Sequence, residues 1–276
     1  MKYIWPCATI FFMVFLWRIS PPVSYPQGSI ITVSPGSLYE IGEELKSFGA
    51  IRSPFWFRIA AIIVGGERNM KAGQYKLTRP QNVFVVAWRV ARGERDIETA
   101  KITIPEGFTV SEISSLFDAR FQLFDRQYFL THASEGYLFP DTYFIPVTAT
   151  ASSTIKLFTD NFDRKTLGLP VTKEVIVMAS LLESEAKTEE ERKLASGILW
   201  KRLKLGMPLQ VDSAMNTYEF QGLPEAPINN PGLVSINAAL NPKSSPYLYF
   251  LTDKEGKMHY ARTFDEHKTN IAKYLR

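Results

Sequence analysis

Two carboxylates stand where the most apolar helical stretch of the chain ends. Val175, Ile176, Val177, Met178, Ala179, Leu181 and Leu182 lead into Glu183 and Glu185. A stretch that is apolar nearly all round reads as a buried helix. A charged glutamate at its end is costly unless it is paired, protonated or solvated. Helical phase puts Glu183 on a face with Ile176 and Ala179, and Glu185 on a face with Met178, Leu181 and Leu182. If the helix surfaces here, both are solvated and carry no chemistry. If one lies in a low-dielectric cleft, its pKa rises and it can act as a general acid. Periodicity does not choose between Glu183 and Glu185.

A second group follows in the 206–218 segment, where Gln210, Asp212, Ser213, Asn216, Thr217 and Tyr218 crowd amide, hydroxyl, carboxylate and aromatic groups together. Such a mixture suits carbohydrate, whose hydroxyls need donors and acceptors and whose ring faces stack on aromatics, although loops are polar by default. His259 and His267 are candidates for catalysis, but a lone histidine near a C-terminal hairpin is more often a structural hydrogen bonder. The marks of metalloproteases, serine hydrolases and nucleotide-binding proteins are absent, so no metal and no cofactor are expected. The single cysteine, Cys7, excludes an intramolecular disulfide framework and a cysteine-rich zinc site. The net charge of +4 is spread along the chain without a block of five like charges, so no nucleic-acid partner is expected.

The elements that must position these groups belong to an α+β chain. Its 276 residues correspond to about 1.8 average domains. Residues 3–17 form fifteen uncharged, mostly apolar positions between Lys2 and Arg18. At 1.5 Å per residue they reach about 22 Å, short of the ~30 Å hydrocarbon core unless Ile19 and a snorkelling Arg18 extend them. No small-x-small cleavage site follows, which favours an uncleaved single-pass anchor over a signal peptide. After a linker at 23–27, a faint repeat appears. Ile31-Thr32-Val33 precedes the capping box Ser37-x-x-Glu40, and Ile102-Thr103-Ile104-Pro105-Glu106-Gly107 precedes Thr109-x-x-Glu112. Both read strand, turn, capped helix. Helices are expected at 54–64 and at 82–91, the latter stopped by Gly93, with a strand-like piece at 73–75 between them. The Thr/Ala/Ser stretch 147–154 reads as a hinge. Helices at 154–162, 172–187 and 189–205 follow, then a loop-rich segment and a hairpin at 247–251 and 258–261 before a short final helix.

These residues together resemble the endolytic murein transglycosylases, the YceG-like family. The resemblance lies in Ala179-Ser180-Leu181-Leu182-Glu183-Ser184-Glu185, in Arg202-Leu203-x-x-Gly206-Met207-x-Leu209-Gln210-x-Asp212, and in Asp212-Ser213-x-x-Asn216-Thr217-Tyr218. It continues through Gly222-Leu223-Pro224-x-x-Pro227-Ile228, Asn230-Pro231-Gly232 and Pro246-Tyr247-Leu248-Tyr249-Phe250, and covers about residues 30–276. It implies an anchor and linker at 1–22, a LysM-like α+β region at 23–150 and an α+β catalytic domain at 151–276. The implied activity is a lyase one: internal cleavage of MurNAc-GlcNAc bonds in nascent peptidoglycan to leave 1,6-anhydroMurNAc ends. The implied partners are peptidoglycan glycan strands, the cell membrane through the N-terminal helix, and cell-wall synthases, with the catalytic part on the extracytoplasmic side. The family's catalytic glutamate corresponds to Glu183, and Gln210, Asp212, Asn216, Thr217, Tyr218 and Asn230 correspond to substrate-binding positions. The chain departs from the pattern where two family blocks share Asp212 instead of being separated by a sizeable segment. Ala214 and Met215 also replace the usual Pro and Tyr.

One carboxyl suffices for a lytic reaction. Ordinary glycosidases use two, one for the leaving group and one for water or nucleophile. In a lytic enzyme the muramyl C6 hydroxyl attacks C1 of its own sugar, and intramolecular attack has a high effective molarity. One glutamate can protonate the leaving oxygen and then accept the C6 proton, and the buried helix is expected to give Glu183 apolar surroundings that favour its protonated form. Two alternatives are a hydrolysing muramidase with Asp212 as second carboxylate, and a non-catalytic glycan-binding scaffold. Product mass separates lytic from hydrolytic cleavage, and absence of any product marks the scaffold.

Overall fold

A computed structural model describes residues 4–275. The chain divides into two compact units, Met1–Glu98 and Thr99–Arg276. The first unit begins with helix α1 (Ile4–Ile19), followed by β1 (Ile30–Val33), α2 (Leu38–Ser47), α3 (Pro54–Ile63), β2 (Gly73–Lys76) and α4 (Val83–Arg92). β1 and β2 pair antiparallel, with Ile31 opposite Tyr75. Ser37 and Glu40 form the expected reciprocal cap at the start of α2. Ile31, Val33, Ile41, Leu45, Phe57, Val86 and Val90 make the core. Gly93 ends α4 in the left-handed region at φ 71°, which only glycine enters without strain.

α1 has 16 residues, about 24 Å of helix. Among the described residues no helix is long and apolar enough to cross a membrane, and the first three residues of the expected anchor lie outside those described. Exposed Ile10, Phe11, Phe12, Met13 and Trp17 leave α1 with an apolar surface. Its C-terminal end is tied to its own unit. Phe15 meets Trp56 edge-on at 4.8 Å, and the Arg52 guanidinium lies 4.8 Å from the Trp17 ring.

The second unit opens with β3 (Thr99–Thr103), α5 (Val110–Asp118), α6 (Arg126–His132) and β4 (Thr142–Pro146). This is the same strand-helix-helix-strand order as β1 to β2, and again the strands pair antiparallel, with Ile102 opposite Tyr143. The sequence repeat is therefore a repeat of topology. Ile102, Ile113, Phe117, Phe129, Leu138, Ile145 and Phe158 form its core.

The remainder is largely helical: α7 (Ala151–Lys165), α8 (Lys173–Glu185), α9 (Glu189–Lys204) and α10 (Leu233–Leu240), then the hairpin β5 (Tyr249–Thr252) and β6 (Met258–Ala261), and α11 (Phe264–Tyr274). Residues 175–182 of α8 are all buried, as the apolar run requires. α8 packs on α9 and α10 through Ile176, Met178, Leu182, Ala195, Leu199 and Ile236. The boundary between compact units falls after Glu98, whereas composition placed a domain boundary at 150. Phe158 of α7 belongs to the β3–β4 core, which joins residues 99–150 to the helices that follow. Thr150 is not a hinge residue but the N-cap of α7.

Candidate active site

Glu183 lies in the last turn of α8. Ala186 leaves the helix in extended conformation, and Thr188 and Glu191 cap α9 after only three linking residues. That tight return brings Arg192, in the first turns of α9, back onto α8. Its Nε donates to the Ala186 carbonyl at 3.1 Å, and its Nη2 lies 2.6 Å from Glu183 Oε1. The backbone N–H of Gly232, the residue that opens α10, donates to Glu183 Oε2 at 2.9 Å. Both carboxylate oxygens are thus engaged, and the Glu183 side chain is 6% exposed. The expectation of apolar surroundings needs correcting: burial is as expected, but a guanidinium and a helix N-terminus meet the carboxylate.

A second carboxylate joins this centre from the turn after β3. Glu106 Oε2 lies 3.9 Å from Arg192 Nη1, and the Glu106 side chain is 47% exposed. Burial raises its pKa above the ordinary carboxylate range, the Glu183 charge raises it further, and Arg192 opposes both. A Cβ on Gly232 would overlap the Glu106 carboxylate, so glycine there is what lets Glu106 lie against the start of α10. Gly107 takes φ 79°, and its N–H donates to the Asn230 carbonyl at 2.9 Å.

Asn230 is fully buried and fastens this turn. Its Nδ2 donates to Phe108 O at 2.9 Å and to Glu135 Oε1 at 2.7 Å, and its Oδ1 accepts from Gly136 N and Leu138 N, both at 2.9 Å. With two donors and two acceptor sites engaged, the amide has no free position for a substrate. Burial raises the Glu135 pKa, while the bonds from Val110 N–H and Asn230 oppose it.

Of the other expected binding residues, Gln210 meets Arg202, and the Asp212–Tyr218 pair lies beside Glu185. Ser213 N–H donates to Glu185 Oε1 at 3.1 Å, and Tyr218 OH donates to Asp212 Oδ1 at 2.6 Å. Burial, helped by Asp212 and Glu185, pushes the Tyr218 phenol up to about 12. Gln210, at φ 52°, accepts from buried Arg202 Nη2 at 2.6 Å. Thr217 is buried and bonded to Ala214 O and Val211 N, so it holds the loop together. Asn216 is exposed and lines a groove of about 570 Å³ with Leu223, Pro224 and Ile228. Among the described residues no hydrogen bond or ion pair links Gln210, Asp212, Asn216, Thr217 or Tyr218 to Glu183. His259 bonds Asp253 at 2.7 Å and stacks on Tyr274, a structural arrangement. Sequence reasoning missed Glu106 and Arg192 as site residues. Glu106 was visible only as part of a turn, and Arg192 only as a charge in a capped first turn.

Comparison with known proteins follows the same outline. Residues 31–216 and 213–273 match the YceG-like family. The chain belongs to that family. The two matched stretches meet at 213–216, where the shared Asp212 had marked a missing segment. An endolytic murein transglycosylase of Streptococcus pneumoniae is 26% identical over an alignment of 328 positions, covering 92% of this chain and 58% of the relative. One of Bacillus subtilis is 33% identical over 178 positions, covering 53% of this chain and 49% of the relative. The chain thus spans about half the length of these curated relatives. The crystal structure of a YceG-like protein of Listeria monocytogenes is 25% identical with a TM-score of 0.56, covering 88% of this chain and 99% of that one.

Proposed function

We propose that this chain is a peptidoglycan lytic transglycosylase with Glu183 at its catalytic centre. The observation that carries the reading is the enclosed Glu183 carboxylate, clasped by Arg192 and Gly232 N–H, in a family whose curated relatives are named endolytic murein transglycosylases. The reaction cleaves the MurNAc C1–O4 bond as the C6 oxygen of the same sugar attacks C1. Glu183 handles the proton that passes from C6–OH to the leaving oxygen. Arg192 and Gly232 fix the carboxylate in one orientation, which near-attack geometry demands.

The remaining features fit action outside the cytoplasm. The apolar, exposed surface of α1 supports attachment to the cell membrane, with the tryptophan and arginine at its end suited to the interface. Two successive strand-helix-helix-strand modules with antiparallel pairing support a LysM-like, glycan-holding role. Cell-wall synthases are the partners this placement implies.

The test is digestion of purified glycan strands by the full chain in detergent, followed by mass analysis. Lytic cleavage gives ends one water lighter than hydrolysis does. Glu183→Gln is expected to give no product while remaining folded, with a melting temperature below wild type because the Arg192 charge loses its partner, and Glu185→Gln to keep activity. Ends of hydrolysed mass would replace the reading with a muramidase, and reversal of the two variants would move the catalytic role to Glu185.

A further inference from the structure

We infer that Glu106 is a second catalytic carboxyl, the one that faces the sugar, so that the proton work is divided between Glu106 and Glu183. The inference rests on the lytic reading above and refines which group moves which proton.

The geometry carries it. Glu183 is 6% exposed, with one oxygen on Arg192 Nη2 and the other on Gly232 N–H. Glu106 shares the same two neighbours from the outside: Arg192 Nη1 lies 3.9 Å from its Oε2, and its other oxygen lies against Gly232 Cα. Yet it is 47% exposed. A group that protonates a glycosidic oxygen must reach it, and of the two carboxylates Glu106 has the open surface. The charged groups facing Glu106 are Glu183 from α8 and Arg192 from α9, with the N-terminal end of α10 between them. Burial and the Glu183 charge both raise the Glu106 pKa, and Arg192 opposes them.

The steps balance. Glu106 gives its proton to O4 as the C1–O4 bond breaks. The C6 oxygen bonds to C1, and its proton passes through one water to the enclosed Glu183 carboxylate. Transfer of that proton from Glu183 back to Glu106, directly or through one water, restores both groups. No water is consumed, and the product carries the 1,6-anhydro bridge.

The experiment compares Glu106→Gln, Glu106→Asp and Gly232→Ala with wild type in the full chain, reading kcat and KM against pH and the mass of the ends. Glu106→Gln keeps the shape of the side chain without the proton, and is expected to lower kcat by about 10²–10⁴-fold with little change in KM. It should also lose the decline of kcat/KM on the alkaline side, which marks deprotonation of the acid. Glu106→Asp keeps a proton donor and should recover part of the rate together with that decline. Gly232→Ala changes no titratable group but displaces the Glu106 carboxylate, so kcat should fall there as well. A Glu106→Gln chain with wild-type kcat and an unchanged pH profile overturns the inference. Should that variant fail to fold, wild-type kcat in Gly232→Ala overturns it. Anhydro product from wild type and Glu106→Gln at equal rates removes only the role of Glu106, whereas no anhydro product from wild type removes the lytic reading and this inference together.

Discussion

Replacing Arg192 by methionine isolates the buried ion pair that holds the centre. The two side chains meet at 2.6 Å and are 10% and 6% exposed, so water does not compensate either charge when the other is removed. Breaking a buried pair by deleting one partner costs about 3–5 kcal/mol, because the remaining charge stays desolvated. The variant also loses the bond to the Ala186 carbonyl, worth about 1 kcal/mol more. At about 2–4 °C per kcal/mol for a unit of this size, Arg192→Met should lower the melting temperature by about 8–24 °C. The informative assay is a double-mutant cycle in urea. Glu183→Gln added to Arg192→Met removes the orphaned charge, so the double variant should regain at least about 1 kcal/mol over the sum of the singles. It should not return to wild type, because the Ala186 carbonyl still lacks its donor. A loss under about 1 kcal/mol for Arg192→Met, or strict additivity in the cycle, would refute the claim that this pair is buried and coupled.

Asn230→Ala strands Gly136 N–H and Leu138 N–H, and should cost at least about 2 kcal/mol in urea unfolding. Asn216→Ala, at an exposed position, should change stability by under about 0.5 kcal/mol and lower kcat/KM on glycan if its groove holds sugar. Gly136→Ala places a Cβ against Pro227 and Ile176 at φ 89°, and should melt well below wild type in a thermal scan. The Glu112 carboxyl is held below its ordinary range by the Thr109 backbone N–H and hydroxyl. Its contribution is therefore full above the unfolded value near pH 4.3 and is lost as pH falls further. Glu112→Gln should flatten the acid side of the stability curve, and an unchanged acid slope would refute that assignment.

What was legible in the sequence was local. The caps at Ser37, Thr109 and Thr188 all formed, because a capping box involves residues only three apart. The burial of α8 followed from its composition. The choice between Glu183 and Glu185 did not, since Arg192 and Gly232 reach Glu183 while Ser213 reaches Glu185, and helical phase contains none of these partners. The division into compact units after Glu98 was not legible for a related reason. A run of Thr, Ala and Ser looks flexible by composition, yet Thr150 caps a helix and β4 had already paired with β3. The family resemblance made Asn230 a substrate-binding position, but the folded chain turns its amide on its own backbone.

The clasp on the 105–108 turn has a consequence for the order in which the molecule is made. Glu183 and Arg192 are nine residues apart and meet through neighbouring helices, so their pair forms with short-range folding. Asn230 and Phe108 are separated by 122 residues, and such distant contacts form late and slow the overall rate. During synthesis the 105–108 turn emerges first and has no fastening until residue 230 follows. A nascent chain stopped short of that point holds its ion pair but has neither Gly232 N–H nor an anchored Glu106. The polypeptide thus gains a complete centre only once residue 232 has been delivered, so whatever the centre does cannot begin in shorter, unfinished copies.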